Sequence, residues 1–197
     1  MSLLRLNDVM VAFGGLLAVS NFDLNVEDRE LIGLIGPNGA GKTTIFNVIT
    51  GFHTPVRGSV IFSGVDITGK LPNYIAKLGI SRTFQNIRLF QNLTVLENVM
   101  IGSQIHSRIS YIHSLLRTSY FYREESKIEK NAMKALELVG LERLRDEIAK
   151  NLPYGDQRKL EIARAIATEP RLILLDEPAA GMNPRETDEL MNMIKFL

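Results

Sequence analysis

The 197-residue chain contains no cysteine. That absence excludes a disulfide framework and every thiolate metal site, and it points to a reducing compartment. Histidine is nearly missing as well. His53, His106 and His113 do not fall into a zinc-ligand spacing. Neither sign of charge is in excess, with 23 Lys and Arg against 22 Asp and Glu and a net charge of +1. A general binder of nucleic-acid backbone needs a cationic surplus, so no nucleic-acid partner is expected. No stretch approaches the roughly 20 apolar residues that cross a bilayer, so any membrane role is peripheral. The run "VMVAFGGLLAVS" at 9–20 resembles the apolar part of a secretory signal, but Asp8 offsets Arg5 before it and Gly14-Gly15 interrupts it. Low-complexity segments and internal repeats are also lacking. What is present is a 45% hydrophobic content, enough for one sizeable core and a smaller second lobe.

Residues 3–35 read as short strands separated by turns, with "GSVIFSG" a further strand between glycines. A helix is expected from about Lys42 to Thr50. From about Asn86 to Lys150 the pattern turns helical and charged, with Ile128, Met133, Leu136 and Leu138 near helical spacing. This reads as an inserted helical lobe, least defined at 103–127. A helix over 155–168, a buried strand over 171–175 and a final helix follow, the last with Asn183 as cap and Pro184 at its first position.

Two motifs carry chemistry. "GPNGAGKT" at 36–43 follows the apolar run "LIGLI" and opens a helix, as G-x-x-x-x-G-K-[ST] requires. Gly36, Gly39 and Gly41 lack Cβ atoms, so backbone N–H groups can close on phosphate oxygens, and the helix N-terminus adds partial positive charge. Lys42 can reach the outer phosphates and Thr43 can offer its hydroxyl to Mg²⁺. Pro37, Asn38, Ala40 and the following Thr44 complete the candidate nucleotide-binding loop. The second motif, "RLILLDEP", sets Asp176 and Glu177 at the end of an apolar strand. Asp176 suits Mg²⁺, and Glu177 suits polarising an attacking water. Many phosphate-loop enzymes share this pair, so it does not choose among them.

The order of motifs does choose. A phosphate loop is followed by Gln85 soon after a strand, then a helical lobe, then "LPYGDQRKLEIARA" at 152–165, then the acidic strand. This arrangement resembles the nucleotide-binding subunit of an ABC transporter over nearly the whole chain. The departure L-x-Y-G-x-Q-R from the common L-S-G-G-Q signature, with "FGGLLAV" at 13–19 and "SRTFQNIRLFQNLTVLENV", is similar to the ATPases of branched-chain amino acid importers. The segment at 103–127 resembles the insertion of the longer of their two ATPase subunits.

That resemblance implies an α/β fold: a P-loop NTPase (ABC ATPase) core, an N-terminal antiparallel β subdomain and an inserted α-helical subdomain. The expected limits are 1–85 for the core with its β subdomain, 86–155 for the helical subdomain and 156–197 for the return to the core. It implies ATP and Mg²⁺ as cofactors. Phe13 is expected to stack on adenine with Val19 nearby, Gln85 to serve metal and water, and Tyr154, Gly155 and Asp156 to meet the nucleotide of a second ATPase subunit across a head-to-tail dimer. Pro153 stands where the family has a serine, so a side-chain hydrogen bond is lost while the Gly155 backbone donor remains. Asn183 ends the D-loop of Ala180, Gly181 and Met182, where aspartate is more frequent. Implied partners are membrane permease subunits and, indirectly, a substrate-binding protein, with the chain peripheral on the cytoplasmic face of the membrane.

Leu197 lies at the helix after the D-loop, whereas the family continues to further core strands and a switch histidine. The C-terminal strands are therefore expected to be missing, the faces of Leu190, Met191 and Ile194 to be exposed, and hydrolysis to be weaker than binding. The rival readings are a soluble ABC-type ATPase and a nucleotide-binding module without turnover. A kinase would share the phosphate loop but has no need of the 152–165 segment.

Overall fold

A computed structural model describes residues 2–106 and 119–196. The chain divides into two compact units, Met1–Leu78 and Gly79–Leu197.

In the first unit β1 (Ser2–Phe13) and β2 (Leu16–Glu27) form an antiparallel hairpin. The two-residue connection needs positive φ at both positions to match strand twist, and Gly14 and Gly15 adopt 51° and 92°. β3 (Arg57–Phe62) pairs with the other edge of β1, and the short β4 (Val65–Asp66) completes the order β2-β1-β3-β4. Leu4, Leu6, Val9, Val60 and Phe62 alternate inward from these strands and are buried. α1 (Lys42–Ile49) contributes Ile45, Val48 and Ile49 to the buried set. α2 (Pro72–Lys77) starts on a proline whose missing N–H costs a helix start nothing, and buries Ile75.

The run Leu31–Ile35 departs from the expected strand. Residues 30–37 are irregular, with Leu31 and Ile32 exposed and Ile35 96% exposed. An apolar run becomes a strand only by pairing its backbone, and neither sheet among the described residues includes it.

The second unit holds a parallel pair, β5 (Ile80–Arg82) with β6 (Leu172–Leu174), and four helices among the described residues: α3 (Val95–Ser103), α4 (Ser119–Val139), α5 (Tyr154–Ile166) and α6 (Pro184–Phe196). Val95, Val99, Ala132, Leu136, Leu160, Ile162 and Leu190 share one buried cluster. α3 is started by a reciprocal cap, in which Glu97 N–H donates to Thr94 Oγ1 and Thr94 N–H donates to Glu97 Oε2. The buried Asn98 amide binds the loop before it, accepting from Phe90 N–H at 2.9 Å and donating to the carbonyls of Phe90 and Thr94.

Two expectations need correction here. Leu138 is exposed while Leu136 is buried, because two residues along a helix turn the side chain to the opposite face. Leu190 is fully buried, and Ile194 packs beside it, because that face of α6 closes on the Leu160 cluster; Met191, one position round the helix, is exposed as expected. Within the 103–127 insertion, residues 107–118, including His113, lie outside the described residues.

Candidate functional site

The first unit supplies a phosphate cradle. Gly39 and Gly41 take φ of 83° and 86°, and Gly41 caps α1 in the left-handed region. A Cβ on Gly41 would stand 2.8 Å from the Ala18 carbonyl oxygen and from Val19 Cγ2. The loop therefore lies directly on β2, and Val19 packs under it. Lys42 curls back, donating from Nζ to the carbonyls of Gly36 at 2.7 Å and Pro37 at 2.9 Å. Its charge is already held at the loop, where phosphate oxygens are better acceptors than carbonyls. Thr43 is exposed on the first turn. Phe13 is 44% exposed at the hairpin end, its ring edge-on to His53 with centroids 5.1 Å apart, so one apolar face is open to a base.

The second unit gathers the acidic and polar residues. β5 and β6 run parallel in register, Arg82 beside Leu174, so both chains leave the pair at the same end. That places Gln85 and Asp176-Glu177 together. Gln85 Nε2 donates to Glu177 Oε2 at 3.0 Å, which leaves the Gln85 amide oxygen as an acceptor. Glu177 adopts φ 48°, an uncommon conformation for a side-chain-bearing residue and one that recurs at functional sites. Asp176 is buried and accepts from Arg82 Nη2 at 2.9 Å through Oδ2. The guanidinium compensates a carboxylate that burial would otherwise penalise.

The signature segment forms the start of α5. Leu152 is buried, Pro153 caps the helix without a side-chain bond, and Gln157 Nε2 donates to the Leu152 carbonyl at 2.9 Å. Tyr154 does not leave an empty slot where the family has glycine. Its hydroxyl donates to the Ala180 carbonyl at 3.0 Å, and its ring lies against Gly181, where a Cβ would meet ring carbons from 3.3 Å. Signature and D-loop are thus joined within one chain. Gly155 is closely covered, since a Cβ there would lie 3.2 Å from the Glu186 carboxyl carbon. Glu186 in turn makes a reciprocal cap with Asn183, which explains why asparagine serves at that position. Asp156 faces Lys159 at 3.7 Å on the first turn.

Sequence reading passed over four of these residues: Arg82, Arg158, Glu161 and Glu186. The signal for the middle two was present. Arg158 and Glu161, three apart on a helix of otherwise apolar inward positions, form a buried ion pair at 2.9 Å.

In the first unit Thr43 offers a hydroxyl oxygen, and in the second Gln85 and Asp176 offer amide and carboxylate oxygens, the hard donors that Mg²⁺ takes. Among the described residues no group of three or more His, Cys, Asp or Glu could cage a metal alone. Within either unit these donors are too few to hold Mg²⁺ alone, so phosphate oxygens and water would complete its ligands.

Compared with known proteins, residues 19–180 match the family described as ABC transporter. The chain belongs to the ABC transporter family. Among its relatives, the high-affinity branched-chain amino acid transport ATP-binding protein LivG of Salmonella typhimurium is 46% identical over 195 residues, which are 99% of this chain and 76% of that protein. BraF of Pseudomonas aeruginosa, described in the same words, is 44% identical with the same coverage. Among solved structures, the ADP conformation of an ATP-binding cassette of an ABC transporter superposes with a TM-score of 0.85 at 37% identity, covering 100% of this chain and 76% of that one. A dimeric bacterial ABC transporter cassette gives 0.78 at 26% identity, covering 97% and 81%. The α/β ABC ATPase fold and an ATP-binding role follow from this membership.

Proposed function

We propose that this ABC transporter chain is the ATP-binding and ATP-hydrolysing subunit of an importer of branched-chain amino acids. The Gln85–Glu177 contact carries the catalytic part of the reading, because it joins the polar amide and the carboxylate that phosphoryl transfer to water needs. The names of LivG and BraF support the transported class.

ATP phosphates replace the Gly36 and Pro37 carbonyls as partners of Lys42, and the loop N–H groups and the α1 N-terminus share the charge. Phe13 receives the base, with Val19 packed nearby under the phosphate loop. Mg²⁺ would supply charge neutralisation on the phosphates, with Thr43 its candidate ligand in the first unit and Gln85 and Asp176 its candidate ligands in the second. Glu177 orients and polarises the attacking water, with Gln85 fixing the carboxylate. Tyr154, Gly155 and Asp156 meet the nucleotide of a second ATPase subunit in a head-to-tail dimer, a reading that the dimeric cassette structure supports.

The second unit carries a groove of about 370 Å³ lined by Phe84, Arg88, Phe90, Ile101 and Arg164, and permease subunits are the partners of the chain on the cytoplasmic face of the membrane. Burial holds the Arg164 pKa below its ordinary value, opposed by the Glu161 charge. Among the described residues no helix is long and apolar enough to cross a membrane. The substrate-binding protein acts through the permease.

Calorimetric titration with Mg²⁺ and ATP, with phosphate release followed on the same sample, tests this. Expected are binding that Lys42→Ala abolishes and release that Glu177→Gln abolishes. Binding without release would leave a nucleotide-binding module and sink the hydrolytic half of the proposal.

A further inference from the structure

Among the described residues the largest fully buried side chain is Arg158, at 0% exposure in α5. A guanidinium is expensive to desolvate and remains inside where enough of its donors are taken up; here both Nη atoms are bonded while Nε has no partner among the described residues. Its acceptors here are unusual. Nη1 donates to the Phe84 carbonyl at 2.8 Å and to Glu161 Oε2 at 2.9 Å, and Nη2 donates to the Gln85 carbonyl at 2.6 Å. Glu161, also buried, uses its other oxygen to accept the Arg88 N–H at 3.3 Å. One ion pair on the signature helix thus grips the backbone at Gln85 and three residues beyond it. On the other side of the loop the Phe84 ring carries the Arg88 guanidinium at 4.3 Å and that of Arg82 at 5.2 Å.

A pair that served only the core would bond to core elements. This one bonds the loop carbonyls of Phe84 and Gln85. A planar fork with donors in fixed directions holds two successive carbonyls in a way that a lysine ammonium does not.

We propose that Arg158, oriented by Glu161, is the positioning residue for Gln85: it fixes the loop backbone so that the Gln85 amide meets Glu177, and it makes that contact depend on the placement of the signature helix. The inference deepens the ATPase reading and rests on it. A shift of α5 pulls on the Phe84 and Gln85 carbonyls directly, with no intermediate side chain.

The experiment combines hydrogen exchange at residues 84–90 with ATP turnover, on the full chain, for Arg158→Met, Arg158→Lys and Glu161→Gln, alone and with Gln85→Ala. Arg158→Met should speed exchange of the Arg88 amide by about tenfold, because its acceptor Glu161 loses the guanidinium that orients it and the Phe84 and Gln85 carbonyls are released. It should lower kcat by about 100-fold with KM for ATP little changed, as misplacement of a reacting group does. Arg158→Lys should fall between. On the Gln85→Ala background, Arg158→Met should cause no further loss of kcat while lowering the melting temperature as much as before. Additive losses of kcat would reduce Arg158 to a structural residue and overturn the proposal. If the wild-type chain binds ATP without turnover, the ATPase reading fails, and exchange alone decides the clamp: an unchanged Arg88 amide in Arg158→Met refutes it. Should Arg158→Met not fold, Glu161→Gln replaces it, and faster Arg88 exchange with α5 amides unchanged is the supporting result; unchanged exchange is the refuting one.

Discussion

A methyl group at position 41 has no room. The φ of 86° is left-handed, and the added carbon would meet a backbone oxygen of β2 at 2.8 Å. Conformation alone costs a side-chain-bearing residue about 1–2 kcal/mol there, and the strand cannot move without disturbing β1. Gly41→Ala should therefore displace the loop and weaken ATP binding by well over tenfold by calorimetry. Gly39→Ala, at φ 83° with nothing within 4 Å of the new carbon, should lose less. Equal losses would mean that conformation, and not the approach of the loop to Val19, sets the requirement. The sequence pattern displayed both glycines as equals because a motif records spacing, not what lies beneath it. The same limit hid Arg82. Only the pairing of β5 with β6 brings it to Asp176.

Helix starts were the most legible elements, because a cap is a local event. Asn183-Pro184 marked the start of α6, and Thr94 with Glu97 begins α3. Helix faces were less legible. Leu136 and Leu138 have the same hydrophobicity, and only rotation about the axis separates them. Leu31–Ile35 shows the reverse case, an apolar run whose strand state depends on neighbours that no local pattern encodes. Asn98 illustrates how much a polar residue can contribute to an element. Thr94→Ala removes one cap and should cost about 1 kcal/mol. Asn98→Ala leaves the Phe90 N–H without its acceptor inside a packed unit, while the Phe90 and Thr94 carbonyls keep the backbone N–H groups of Leu93 and residue 98, and should cost about 2 kcal/mol. Urea unfolding of both variants checks the ranking. An Asn98→Ala cost at or below that of Thr94→Ala would show that water satisfies the loop once the amide is gone.

At the scale of the whole molecule, the two units each have a core. Leu4, Leu6, Val60 and Phe62 belong to the first, and Leu136, Leu160, Ile162 and Leu190 to the second. The phosphate loop lies in the first, so nucleotide binding is linked to the stability of that unit first. ATP without metal, at 100 times its dissociation constant, should add about 2.7 kcal/mol to the unfolding free energy of the unit that binds it. Hydrogen exchange reads the β1 and β3 amides separately from those of α3 and α5. Protection is expected to rise at the strands and to change little at the helices. Leu160→Ala, a core truncation worth about 2–5 kcal/mol, should have the opposite pattern, with loss of protection at α3 and α5 and little at the strands. Equal changes at both sets of amides would mean that the chain unfolds as one cooperative body, so that division by contacts has no energetic counterpart. Unequal changes would mean that the nucleotide loop and the carboxylate-bearing loops belong to parts of independent stability, and that a bound nucleotide can bias one without the other.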